Sequence, residues 1–319
     1  MHEFQLIKNY FSKLSNKNKG SLNLNDDVFF VNSKKLVVSV DTYIEGIHFI
    51  NFKKPDLVIK KIIRSSISDI ICKGVKPKYY FISGSGNNKS FSSVNLKKIS
   101  NSLKQEQKKY NIFLGGGDTV YSNKLSFTVT SIGFSNKIIF RNKAKLNDDI
   151  YVTGNLGDSF TGLNILKKNI YVNNSLNKYF EKKYYLPNLH LELSNKLLTF
   201  ANTSIDISDG LIADLEKLIN RQKFSYELNL VNVPISRNLE KLLIKKKLDK
   251  ISYISQGDDY QILFTANSSK SRIINKTAKS LGIKISKIGK ICSNLQKSQI
   301  IDQKGNKIAV KTKGYSHRF

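Results

Sequence analysis

The sequence predicts an α/β (α+β) fold in two halves, each a mixed sheet packed with helices. Three observations lead there. Short runs of β-type residues alternate with helical periods along all 319 residues. A polar, charged stretch around 136–149 interrupts them near the middle, and at this length the chain is long for a single core. We therefore expect one domain over 1–136 and a second over 137–319. Finally, nine of the 24 acidic residues fall in five Asp-rich knots, each at an expected strand or helix end.

The elements follow in order. Residues 3–16 carry Phe4, Ile7, Phe11 and Leu14 at helical spacing. Strands are expected at Val28–Val31 and Leu36–Val40, the second running into Asp41. Pro55 opens a helix at a favoured first-turn position and Gly74 closes it, with Leu57, Ile62, Ile63, Ile67, Ile70 and Ile71 giving a wide apolar face. A strand at Tyr79–Ser83, a helix at Ser90–Lys109, a short strand at Ile112–Leu114 and a strand at Leu125–Phe134 complete the first half. The second restarts with the strand Ile150–Thr153 and, after Gly154-Asn155-Leu156-Gly157, the helix Asp158–Leu166. Helices near 188–200, 210–221 and 268–281 then alternate with strands near 203–206, 225–231, 261–265 and 283–288. No repeat of 20–50 residues is visible.

A net charge of +29 raises nucleic-acid binding, but the make-up of that charge argues against it. Only six of the 53 basic residues are arginine, and AT-rich codons are favoured throughout, which traces the charge to genome composition. Nucleic-acid faces favour arginine forks interleaved with aromatics. No apolar run reaches the length of a membrane span, and the first residues show no signal core, so a cytoplasmic protein is expected. Cys72 and Cys292 stand in unrelated contexts and read as two buried thiols.

The knots carry the chemistry. Two carboxylates about 4 Å apart repel by roughly 1 kcal/mol in water and by several times that at a protein surface, so a fold that gathers them needs cations. Hard oxygen donors suit Mg²⁺, usually shared with substrate phosphates. Asp69 lies in the last turns of its helix, where the macrodipole disfavours an anion, and metal ligation would compensate. Asp118 follows Gly115-Gly116-Gly117, which makes either a tight turn or a loop whose N–H groups approach phosphate. Ser208-Asp209-Gly210 precedes a helix and reads either as an N-cap or as an anion site, with Asp206 on the same face as Ser208. Asp26-Asp27 and Asp258-Asp259 read equally well as ordinary turn carboxylates. His48 is the one histidine near a knot, and no Walker lysine loop or zinc spacing occurs.

Taken in order, the motifs resemble the thiamine-monophosphate kinase family. They are Asp41-Thr42 with His48-Phe49, Ser68-Asp69 with Gly74, Gly116-Gly117-Asp118-Thr119, Tyr151-Val152-Thr153-Gly154 with Gly157-Asp158, Asp206-Ile207-Ser208-Asp209-Gly210-Leu211, Gly257-Asp258-Asp259-Tyr260 and the terminal Gly314-Tyr315-Ser316-His317-Arg318-Phe319. The resemblance implies the fold shared with aminoimidazole ribonucleotide synthetase, usually as a homodimer, and ATP-dependent conversion of thiamine monophosphate to thiamine diphosphate with several Mg²⁺ ions. Carried over by motif, Asp27, Ser39, Asp41, Asp69, Asp118, Asp206 and Asp209 would hold metal, with Asp69, Asp118 and Asp209 central to catalysis. Gly117, Asp118, Arg141 and Ser208 would contact ATP, and His48, Asp258 and Tyr315 thiamine monophosphate. Three departures from the family pattern are Asn25 for glycine, Val40 for threonine and Asp258 for glutamate. The competing readings are another ATP-using enzyme of the same superfold and a basic binding protein without catalysis.

Overall fold

The computed structural model describes residues 19–316 together with Gln5, Ile7, Asn9 and Ser15. The helix expected over 3–16 and the terminal His317-Arg318-Phe319 fall largely outside the described residues. The first half forms a sheet of six strands: β1 (Phe29–Val31), β2 (Leu36–Ile44), β3 (Pro77–Gly86), β4 (Phe113–Gly116), β5 (Thr119–Tyr121) and β6 (Ser126–Phe134). Its order is β1-β2-β6-β3-β4, with β5 also on β3. Helices α1 (Pro55–Cys72) and α2 (Ser93–Tyr110) belong to this half.

The second half builds another six-stranded sheet, ordered β12-β9-β11-β7-β10-β8. Its strands are β7 (Asp149–Thr153), β8 (Thr203–Asp206), β9 (Phe224–Asn229), β10 (Ile262–Ala266), β11 (Ile285–Ser293) and β12 (Gln299–Ile301). Around it lie α3 (Asp158–Leu166), α4 (Asn174–Tyr185), α5 (Ser194–Leu197), α6 (Leu211–Leu218), α7 (Arg237–Lys246), α8 (Lys250–Ile254) and α9 (Ser271–Leu281). β7 and β10 are buried along their whole lengths, as strands covered on both faces must be.

α1 positions everything that follows. Its isoleucines Ile59, Ile62, Ile63 and Ile67 share one core with Phe127 and Val129 of β6 and with Tyr151, Ile262 and Phe264 of the second half. Even Ser65, Ser66 and Ser68 are buried. A helix covered all round lies between layers, and α1 is the shared wall of the two halves.

The opposite face of the first sheet is open. Period-two alternation sends Val37, Ser39 and Tyr43 of β2 inward and Val40 outward, where it is 60% exposed. Tyr79, Phe81, Phe113 and Phe134 are also exposed, with the Tyr79 ring 6.5 Å from Phe113 and 6.1 Å from Phe134. Val40 thus faces away from the acidic knots and removes no hydroxyl from them. Asn25 keeps a negative φ, so that turn does not need the family's glycine. Of the two cysteines, Cys72 is buried as expected, whereas Cys292 is only partly covered, and both are free.

Candidate active site

The inward alternation of β2 brings Ser39 and Asp41 against the C-terminal turns of α1. There the Ser39 hydroxyl donates to Asp69 Oδ2 at 2.5 Å. β8 ends at Asp206 on the other side of α1. The resulting group, Asp27, Asp41, Asp69 and Asp206, is close enough for each member to feel the others. Burial, aided by the charge of Asp27, pushes the Asp41 carboxyl up to about 7. Burial and then Asp27 push Asp206 up to about 8. Burial and then Asp41, Asp206 and Asp27 hold Asp69 well above the usual carboxylate range. Asp41 Oδ2 is buried without a hydrogen-bond partner.

Among the described residues, no three His, Cys, Asp or Glu side chains already converge as a formed metal centre. The donor set nevertheless fits a hard divalent cation. Three mutually repelling carboxylates, Asp206 buried and Asp41 and Asp69 partly so, one with an orphaned oxygen, have no cationic side chain against them among the described residues.

Asp27 is arranged differently from the metal ligand expected of it. Its Oδ2 lies 2.6 Å from Lys73 Nζ, off hydrogen-bond geometry, and its Oδ1 lies 3.4 Å from Arg141 Nη1. Burial would raise its pKa, but those two cations lower it below the usual value. Arg141, expected on ATP, turns into the same loop: its backbone N–H donates to Asp26 Oδ2 at 2.9 Å and its Nε to the Asn25 carbonyl at 3.1 Å. Its guanidinium would reach a phosphate only by releasing Asp27.

A second group forms where three backbone segments meet. Asp258 N–H donates to the Ser208 carbonyl at 2.8 Å, and Tyr315 N–H to the Asp209 carbonyl at 2.9 Å. A Cβ at Gly257, whose φ is +71°, would stand 2.1 Å from the Ser208 carbonyl oxygen, so only glycine permits this approach. Ser208 and Asp209 do not cap α6. Asp214, inside the helix, accepts from Asp209 and Gly210 N–H at 2.9 and 3.0 Å instead. Lys217 bridges Asp209 and Asp214 at 2.5 and 3.0 Å. Asp258 ion-pairs with Lys61, which is 2% exposed and sits 3.8 Å over the Tyr184 ring centroid. Asp259 caps α3, accepting from Gly157 N–H at 2.7 Å and Ser159 N–H at 3.3 Å.

Two expected residues lie apart from these groups. Asp118 is exposed, its Oδ1 accepting from Thr119 N–H at 2.8 Å. It sits beside β3, three strand spacings from β2, or about 14 Å across the sheet. Gly117 is required by packing, since a Cβ there would meet the Ile82 carbonyl oxygen at 1.8 Å. His48 accepts from Ile44 N–H at 3.0 Å through Nδ1, with its ring 5.9 Å from that of Tyr43. Sequence reasoning missed Lys61, Lys73, Lys217 and Asp214 altogether. It also missed Tyr43, two residues from Asp41, whose position on the same strand face was a usable signal.

Residues 25–135 match the family model described as AIR synthase related protein, N-terminal domain. The chain is 33% identical to the thiamine-monophosphate kinase of Buchnera aphidicola subsp. Acyrthosiphon pisum, over 99% of this chain and 98% of that relative. It is 31% identical to the thiamine-monophosphate kinase of Haemophilus influenzae, over 91% and 89% of the respective chains. A solved structure described as AaThiL complexed with AMPPCP and TMP superposes with a TM-score of 0.85 at 27% identity, covering 99% of this chain and 97% of that one. The hydrogenase maturation protein HypE of E. coli, at 16% identity and a TM-score of 0.69, shares the fold.

Proposed function

Since the chain belongs to the thiamine-monophosphate kinase family, we propose that it transfers the γ-phosphoryl group of ATP to the phosphate of thiamine monophosphate, giving thiamine diphosphate. The observation that carries this reading is the largely enclosed carboxylate group Asp41, Asp69 and Asp206, built by three different elements around the end of α1. When bound there, Mg²⁺ would supply the countercharge that lets two anionic phosphates approach. Asp41, Asp69 and Asp206 would hold it, with Ser39 orienting Asp69 through its hydroxyl. The Ser208-Asp209-Gly210 loop would bring its backbone and the Asp209 carboxylate to the nucleotide, and Arg141 would join it on releasing Asp27. Asp258 and Tyr315, packed on that loop, and His48 would receive thiamine monophosphate. Gly117 and Asp118 would approach ATP from the rim of the first sheet. Incubating the protein with ATP, Mg²⁺ and thiamine monophosphate should yield thiamine diphosphate by chromatography. ATP use indifferent to thiamine monophosphate would refute the substrate assignment.

We take each six-stranded sheet as the centre of one domain, divided near residue 136, and we propose a homodimer joined through the open face of the first sheet. Exposed Val40, Tyr79, Phe81, Phe113 and Phe134 make an apolar surface of the kind soluble monomers rarely keep. A charge buried in such an interface is costly. Phe81→Glu should therefore halve the mass seen by light scattering, and an unchanged dimer would place the interface elsewhere.

A further inference from the structure

We propose that Lys73 is a resident cation, standing where a divalent ion would otherwise be needed on the Asp26–Asp27 side of the carboxylate group. This rests on the reading of that group as metal-binding. Lys73 is the first residue after α1 and is fully buried. Its ammonium lies 2.9 Å from Asp26 Oδ1, 2.6 Å from Asp27 Oδ2 and 2.8 Å from the Ser204 carbonyl oxygen. Three oxygens thus surround one cationic nitrogen, which donates to the Ser204 carbonyl and meets the two carboxylates as ion pairs. The same kind of donor set, at shorter range, is what a hard divalent ion takes.

The charges divide accordingly. Asp26 and Asp27 face Lys73 and Arg141, two anions against two cations. Asp41, Asp69 and Asp206 have no ion pair among the described residues. Packing alone does not call for a lysine here, because an apolar side chain would close the end of α1 without burying a charge. The ammonium is warranted only by the carboxylates it meets. Since it cannot dissociate, its single charge, together with that of Arg141, offsets Asp26 and Asp27 whether or not metal is present, and Asp27 is withheld from the divalent ions that Asp41, Asp69 and Asp206 attract.

Mn²⁺ binding to the full chain without nucleotide, counted by electron paramagnetic resonance of the free ion, tests this independently of kinase activity. Lys73→Met should bind one more Mn²⁺ per chain than the parent, and adding Asp27→Asn to it should remove the extra ion. Lys73→Arg should keep the parental count. An unchanged count in folded Lys73→Met would overturn the proposal. Should Lys73→Met fail to fold, Asp27→Asn made with Lys73 in place decides alone: an unchanged count supports the proposal, and loss of one Mn²⁺ shows that Asp27 is already a ligand and refutes it. The kinase reading stands or falls separately, on product formation by the parent chain.

Discussion

Asp69→Asn should lower turnover by about 10²- to 10³-fold, the scale seen when one preorganised electrostatic contact is removed, while the protein folds normally. Asn keeps the shape and can still accept from the Ser39 hydroxyl, so the 2.5 Å contact has a successor. What it lacks is the charge that would hold the proposed cation at the end of α1. Stability should move the other way in metal-free protein. Burial and its acidic neighbours hold Asp69 well above the usual range, so the folded state favours its protonated form. That contribution is fully present below the unfolded value, 3.8, and is lost as pH rises toward the folded one. Asn carries no such penalty. The melting temperature of Asp69→Asn should therefore equal that of the parent near pH 4 and exceed it near pH 8 without divalent ions. Added Mg²⁺ should erase the difference by stabilising only the parent. Near-normal turnover at ordinary Mg²⁺ would remove Asp69 from the site.

Much of this arrangement was legible in the sequence, for reasons that differ by residue. The period of two along β2 separates Ser39, Asp41 and Tyr43 from Val40, and an aspartate in the last turns of an isoleucine-rich helix marks Asp69. β8 and α3 match their expected spans, 203–206 and 158–166. Other features left weak traces. Helix α4 was missed although Leu176, Tyr179, Phe180 and Tyr184 stand at helical spacing and Asn173 caps it by accepting from Leu176 N–H; its many Lys and Asn residues mask that stripe. The helix expected near 188–200 shrinks to the turn Leu191–Leu193 and α5, and His190, just before the turn, meets Gln261 at 2.9 Å. β5 has only three residues, too few to alternate.

The lysines were invisible for another reason. Basic residues number 53 and all but six are lysine, so composition hides the ones that matter. Lys61, Lys73 and Lys217 are set apart only by what they touch: Asp258, then Asp26 with Asp27, then Asp209 with Asp214. Asp26 with Asp27, Asp209 and Asp258 have each acquired an internal counter-ion. Asp41, Asp69, Asp206 and the exposed Asp118 have none among the described residues, and the first three are those we propose for a cation from solution.

Thiamine monophosphate should be phosphorylated and free thiamine left about 10²- to 10⁴-fold behind, the contribution that a positioned general base makes to proton removal. Kinases acting on alcohols place an aspartate to take the hydroxyl proton. A phosphate monoester has its second pKa near 6, so at neutral pH its oxygens are already nucleophilic and need no base. The side chains follow that logic. His48, the histidine nearest the Asp41 knot, has Nδ1 engaged with the Ile44 N–H of its own turn. Asp258 is paired with Lys61, and Asp209 with Lys217. Each of these carboxylates is already engaged by a lysine ammonium. Carboxylates arranged this way hold countercharge and orient anions, and the chemistry they suit is direct in-line transfer between two phosphates. No phosphoenzyme should accumulate when the protein is mixed with γ-labelled ATP and quenched in acid. Label retained on the chain, or thiamine consumed as fast as its monophosphate, would show that a proton-accepting or nucleophilic side chain takes part and would overturn this mechanism.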